Sequence, residues 1–188
     1  MNAYKTSAAF TWPRFLNTLG LAGISATLLF AFVWQFMFNE LPCPLCLLQR
    51  VALVMVGIGF LLNVRFGSAP SHYGLIILSA LGGAVAAGRQ TLLHMAPNDM
   101  GYGSPFLGLH FYTWAFIVFV LVIAACAVLL VIDRAQSMLS NSAMPNLFAR
   151  LVMWLFVLLV IGNVVSTAVE CGFGACPDNP TQYLWLKH

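Results

Sequence analysis

Charge is what this chain has least of. Only 7% of its 188 residues are Asp, Glu, Lys or Arg, and five of these are acidic, whereas 61% are hydrophobic and the mean hydropathy is +0.91. That leaves too little polar surface for a soluble globule. Period-two alternation is also missing, so the continuous apolar runs read as helices rather than the strands of a membrane barrel. There is no linker, internal repeat or low-complexity segment, and nothing resembles a nucleotide or flavin motif. The first run is too long for a signal h-region and lacks a small-x-small cleavage site before Cys43, which makes it a span rather than a leader.

What the chain does have is five apolar runs, near 15–38, 46–66, 73–95, 110–132 and 148–169. Each reaches the roughly 20 helical residues needed to cross a hydrocarbon core of about 30 Å. The sequence therefore predicts an all-α fold, a polytopic membrane helical bundle forming one integral domain over 1–188. Lys5, Arg14, Arg65, Arg134 and Arg150 fall on one side if the spans alternate, and Arg50, Arg89 and Lys187 on the other. By the positive-inside rule the first side is cytoplasmic, with the N-terminus inside and a tail over 170–188 outside. Four of the five cysteines then share the outer side, where disulfides persist.

Cys43 and Cys46, in Pro42-Cys43-Pro44-Leu45-Cys46, open the second run. Two thiols two residues apart at a helix N-terminus read as a redox pair, because the helix end favours a thiolate. Cys43 is expected to lie further out and to be attacked during exchange, with Cys46 nearest the membrane. Arg50 sits at i+4 from Cys46, so its guanidinium shares that helix face. A structural disulfide is the plainer alternative, but so short a loop restricts the unfolded chain little. A tetrathiolate zinc site with Cys171 and Cys176 is a further alternative, and it leaves Arg50 without a role. Cys171 and Cys176 flank a glycine-containing stretch in the tail and are either a shuttle pair or a pin for that tail.

Cys43-Pro-Leu-Cys46 with Arg50, Gly88-Arg89-Gln90, and Phe106-Leu107-Gly108-Leu109 with Trp114 make residues 15–132 resemble the DsbB family of quinone-linked disulfide-bond formation proteins. The resemblance implies a four-helix DsbB-like core, here with a fifth transmembrane helix. It also implies a membrane thiol oxidase in a bacterial inner membrane, with ubiquinone or menaquinone as acceptor and a periplasmic DsbA-like thioredoxin-fold protein as partner. One departure is large. Family members of the best-known kind carry a second cysteine pair between spans three and four, yet residues 96–109 hold none, and the Cys171 and Cys176 pair follows the fifth span instead. The implied catalytic set is Cys43, Cys46, Cys171 and Cys176, with no metal and no nucleic acid.

Four residues are expected to bind the acceptor: Arg50, Arg89, His94 and His110. Quinone reduction takes up two protons, which gives titratable groups such as His94 and His110 a purpose. The plain alternatives are a snorkelling Arg50, a helix-capping Arg89 and two interfacial histidines. Tyr102, Phe106, Phe111, Tyr112 and Trp114 read as an interfacial aromatic belt. Gly82, Gly83, Ala86 and Ala87 read as a small-residue packing face, and Cys126 as a small packing residue. The rival functions are a transmembrane conduit for reducing equivalents and a non-catalytic membrane subunit with structural disulfides.

Overall fold

The computed structural model describes residues 12–96, 101–136, 146–172, 174–177 and 180–186, although the side chains of 134–136 and 186 are outside the description. Lys5, Lys187, the Arg134 side chain and residues 97–100 of the loop named above therefore lie outside the described residues. Among the described residues there are five long helices, α1 Trp12–Phe38, α2 Pro44–Phe66, α3 Pro70–Leu93, α4 Phe111–Gln136 and α5 Leu147–Cys171, followed by a short 3-10 turn at Leu184–Leu186. All five are long and apolar enough to cross a membrane, and no strand occurs among the described residues. The expected polytopic helical bundle is what the chain forms.

Helix ends follow local chemistry more closely than hydropathy does. Both α2 and α3 start on a proline, whose missing N–H costs nothing in a first turn. Asn146 caps α5 by accepting from the Ala149 N–H at 2.9 Å. The fifth span runs two residues past the expected 169, so Glu170 and Cys171 end a helix rather than begin a tail. The helix continues there with both residues packed inside the bundle: Glu170 is 0% and Cys171 4% exposed.

Leu21, Leu28, Val56, Phe60, Ile76, Phe119 and Phe156 fill the centre. Glycine lets large rings approach it: a Cβ at Gly57 would overlap the Phe156 ring, and one at Gly83 the Phe119 ring. This seats α5 on α2 and α4 on α3. Gly83 and Ala87 do the packing expected of the α3 small-residue face, while Gly82 has nothing near it. Cys126, fully buried in this cluster, is a packing residue.

Because short connections join the helices, the C-terminal ends of α1, α3 and α5 gather with the N-terminal ends of α2 and α4. After α1, Asn39 turns the chain with φ 52°, a left-handed conformation that asparagine tolerates. Four residues later the chain enters α2 at Cys43.

Candidate functional site

Cys43 is the N-cap of α2, in extended conformation (φ −69°, ψ 164°). Its sulfur takes the position usually held by a Ser or Asp oxygen, accepting from the Cys46 N–H at 3.2 Å. Gln90 Nε2 on α3 donates to the same sulfur at 3.2 Å and lies 3.6 Å from Cys46 Sγ. Gln49 Nε2 holds Gln90 Oε1 at 2.8 Å, which turns the Gln90 amide so that its NH2 faces the thiols. Both thiols are free.

This environment pulls the Cys43 thiol down from 9.0 to about 6. The hydrogen bond from the Cys46 side chain contributes most. Burial opposes it, and the Cys46 N–H, the Gln90 amide and the Leu45 backbone add to it. The helix-end effect thus falls on Cys43. Cys43 stands before Cys46 at the helix end, and it is nevertheless shielded by the protein, at 6% exposed.

Arg50 shares the α2 face with Cys46 but turns toward α1. Nη1 donates to Gln35 Oε1 at 2.8 Å and Nη2 to the Ala31 carbonyl at 3.3 Å, and the guanidinium lies 5.4 Å from the Phe32 ring centre. Its link to Cys46 is through-space charge rather than a hydrogen bond.

Cys46 and Arg50 both line a cavity of about 420 Å³ bounded by α1, α2, α4 and the loop before α4. Its walls are mostly apolar, with a few polar groups converging from Gln35, Glu40, Gln49 and Tyr102, the usual make-up of a small-molecule site. Tyr102, Phe106, Phe111, Tyr112 and Trp114 all line it, so the residues read as a belt wall a cavity.

The loop is strapped over α1. Glu40 accepts from the Ser104 N–H at 3.1 and 3.2 Å, from the Ser104 hydroxyl, and from Trp34 Nε1 at 3.3 Å. Tyr102 donates to the Leu41 carbonyl at 2.6 Å, and burial pushes its phenol well above its ordinary range. Leu107 and Gly108, at φ 51° and 81°, make a tight turn closed by two hydrogen bonds between Phe106 and Leu109, with Phe106 on the cavity wall.

The other expected acceptor residues stand apart from this cavity. Arg89 is exposed on α3, one residue from Gln90, which does reach the sulfurs. His94 caps α3 and stacks on Tyr112 at 5.5 Å, and His110 stacks on the same ring at 5.3 Å. Neither histidine lines the cavity, although Tyr112 between them does. Cys171 and Cys176 are joined by a disulfide, Cα–Cα 4.6 Å. This excludes a four-thiol cluster in this state, and no group of three or more His, Cys, Asp or Glu with metal-holding geometry occurs among the described residues.

Sequence reasoning missed Gln35, Gln49, Gln90, Glu40 and the buried Glu170. A sequence signal did exist for the glutamines, since amides are scarce in apolar spans and need partners when buried.

Membrane-length helices, a reduced dithiol at a helix cap and an apolar cavity beside it define a polytopic membrane protein with a dithiol site. Residues 13–102 match the model of the family described as Disulfide bond formation protein DsbB. Disulfide bond formation protein B of Nitrosomonas eutropha is 41% identical over 93 residues, 47% of this chain and 54% of that protein. Disulfide bond formation protein B 1 of Pseudomonas syringae pv. syringae is 38% identical over 89 residues, 46% and 52% of the two chains. Disulfide bond formation protein B of Hahella chejuensis is 34% identical over 105 residues, 53% and 59%. Over residues 13–102 the chain is similar to the DsbB family, and it spans about half the length of the curated relatives it matches. No solved structure matches. Helices α4 and α5 and the tail lie outside the residues matched by the family model.

Proposed function

We propose that this protein is a membrane thiol:quinone oxidoreductase that supports disulfide bond formation, with the thiol end of the bundle facing the periplasm of a bacterial inner membrane. The observation that carries the reading is one shared cavity: Cys46 of a reduced Cys-x-x-Cys pair and the half-buried cation Arg50 line the same apolar space of about 420 Å³. A quinone ring fits its chemistry, because apolar walls suit the ring and the few polar groups suit its two oxygens. When bound, a quinone such as ubiquinone or menaquinone would accept two electrons and two protons.

The chain's own residues supply the rest. Closing the Cys43–Cys46 bond releases two electrons and two protons from the dithiol, which matches that demand. Cap and amide contacts favour a thiolate at Cys43. Arg50 offers a cation where negative charge develops on an oxygen in the cavity. Arg89, His94 and His110 have no role in this reading, since none of them lines the cavity.

On the substrate side, a DsbA-like periplasmic dithiol would exchange with Cys171–Cys176. Electrons then pass through a mixed disulfide to Cys43–Cys46, each exchange breaking one S–S bond as another forms. The tail pair joined and the core pair reduced is one state of that cycle. The test is to mix purified, pre-reduced protein with a soluble ubiquinone analogue and follow thiol loss and quinone absorbance together. Equivalent loss of one dithiol per quinone is expected. Unchanged thiols under that treatment overturn the reading. A Cys171→Ser/Cys176→Ser double variant should still react with quinone after chemical reduction and fail to oxidise its protein partner. Partner turnover at the wild-type rate would make the tail pair structural.

A further inference from the structure

Arg50 is a cation inside a membrane-length helix, and such a group is costly unless its donors are met. The groups that meet it are neutral: Gln35 Oε1 at 2.8 Å, the Ala31 carbonyl at 3.3 Å and the Phe32 ring face. Glu170 lies within its electrostatic range, but no ion pair within 4 Å joins the two, and neither Glu170 oxygen accepts a hydrogen bond among the described residues. The hold on Arg50 therefore depends on which way the Gln35 amide faces.

Gln35 is 3% exposed and has two ends to satisfy. With Oε1 on Arg50, Nε2 points to Tyr183 Oη at 2.9 Å and Ser166 Oγ at 3.2 Å. Reversing the amide would set its NH2 against the guanidinium donors. The donor-only guanidinium sets the polarity of Gln35, and Tyr183 and Ser166 hold the other end of the amide, so that Oε1 stays seated on Arg50. Both acceptors belong to α5 and the tail, outside residues 13–102 that match the family model. Tyr183 follows the Cys171–Cys176 link, and Trp185 beyond it rests against Gly172 at the end of α5, so the tail folds back over the helix that anchors it.

We propose that Tyr183 and Gln35 are positioning residues for Arg50, through which the disulfide-anchored tail sets the cation on the wall of the acceptor cavity. This rests on the reading of that cavity as a quinone site. The tail then has two roles at once: it carries a disulfide and it shapes the far side of the site that empties the core pair.

Tyr183→Phe removes one acceptor while keeping the ring. In single-turnover reactions of pre-reduced protein with a ubiquinone analogue, it should raise the half-saturating quinone concentration about two- to tenfold, the worth of one neutral hydrogen bond. The limiting rate and the alkylation rate of Cys43 should stay near wild type. In an Arg50→Met background the same change should add nothing. Phenylglyoxal modification of Arg50, read by peptide mass spectrometry, should accelerate in Tyr183→Phe without any quinone present. Compared with wild type whose tail link is intact, Cys171→Ser/Cys176→Ser should likewise accelerate phenylglyoxal modification of Arg50 without quinone. An unchanged phenylglyoxal rate in Tyr183→Phe overturns the inference, whatever the quinone reaction does. A faster rate with unchanged half-saturation, or an effect that persists beside Arg50→Met, overturns it too. Wild-type protein inert to quinone is a different result: it removes the cavity reading and the acceptor role of Arg50 together.

Discussion

The two ends of the bundle both bury polar side chains, and they use them differently. At the end away from the thiols, Asn17 Nδ2 donates to the Pro13 carbonyl and to Tyr73 Oη, both at 2.8 Å, and Asn17 Oδ1 accepts from Asn63 Nδ2 at 2.9 Å. Asn63 Oδ1 accepts from the Ala69 N–H at 3.2 Å and lies 3.0 Å from His72 Nδ1, while the Tyr73 hydroxyl donates to Asp133 at 2.9 Å. That network ties α1, α2, α3 and α4 together with each of these amide and hydroxyl groups matched. At the thiol end, polar groups converge on a cavity, and atoms are left over: both Glu170 oxygens and His110 Nε2 are buried without a hydrogen-bond partner. A completed network fastens helices together. An incomplete one leaves bonding capacity unspent, here on atoms beside the cavity rather than on its lining.

The sharpest way to break that contrast is at Cys46. Cys46→Ser should abolish quinone-dependent thiol oxidation while leaving the thermal midpoint close to wild type, as measured by light scattering or tryptophan fluorescence in detergent. Turnover at a normal rate with quinone as sole acceptor would end the assignment of chemistry to this end. Next in size is Arg50→Met, which removes a charge-assisted hydrogen bond worth about 1.5–3 kcal/mol, or roughly tenfold to a hundredfold in quinone use. Arg50→Lys should recover part of this, since the charge stays but the planar fork goes.

The far end predicts the opposite pattern. Asn63→Leu strips a partner from Asn17 and an acceptor from Ala69 and His72, and it should cost about 1–3 kcal/mol of stability through the groups left unpaired. Its half-saturating quinone concentration should not move, and a shift there would mean the two ends are coupled. The smallest effect expected is on titration. Iodoacetamide labelling of Cys43 in the reduced protein should be half-maximal near pH 6 and level above it, as a thiol held at about 6 requires. Because the folded value lies below the ordinary 9.0, the ionised form stabilises the reduced fold at high pH, and that stabilisation is lost as pH falls through about 6. Gln90→Met removes one donor to the sulfur and should move the labelling midpoint upward. A midpoint that stays near 9 in the wild type would deny Cys43 its special status.

The sequence made the thiol end visible where its signals are local. Cys43, Cys46 and Arg50 stand within two helical turns, so their spacing alone placed them on one side of one helix. The five spans were visible for the same reason, as continuous apolar length. What stayed hidden depends on assembly. Gln35, Gln49 and Gln90 come from three helices, and an amide inside an apolar run has no period that tells what it will face. Arg89 was the conspicuous residue of its segment because it is charged, yet a charge near a helix end is satisfied by solvent or lipid as readily as by a site. Its neutral neighbour Gln90 turns inward because the α3 face bearing Gly83 and Ala87 also carries position 90, one turn on. Aromatic residues near the loop read as a belt by composition, and only the Glu40–Ser104 strap, which holds the loop against α1, makes them a wall.

The sulfur cap of α2 has an electrochemical consequence. In the reduced protein the Cys43 sulfur serves as a helix-end acceptor, favoured as a thiolate. A sulfur committed to a disulfide is a far poorer acceptor, so the first turn of α2 is better satisfied in the reduced form than in the oxidised one. Whatever stabilises the reduced side of a couple raises its midpoint potential. Under the proposed function, that makes the pair a stronger electron sink toward incoming dithiols and calls for an acceptor of higher potential in the neighbouring cavity.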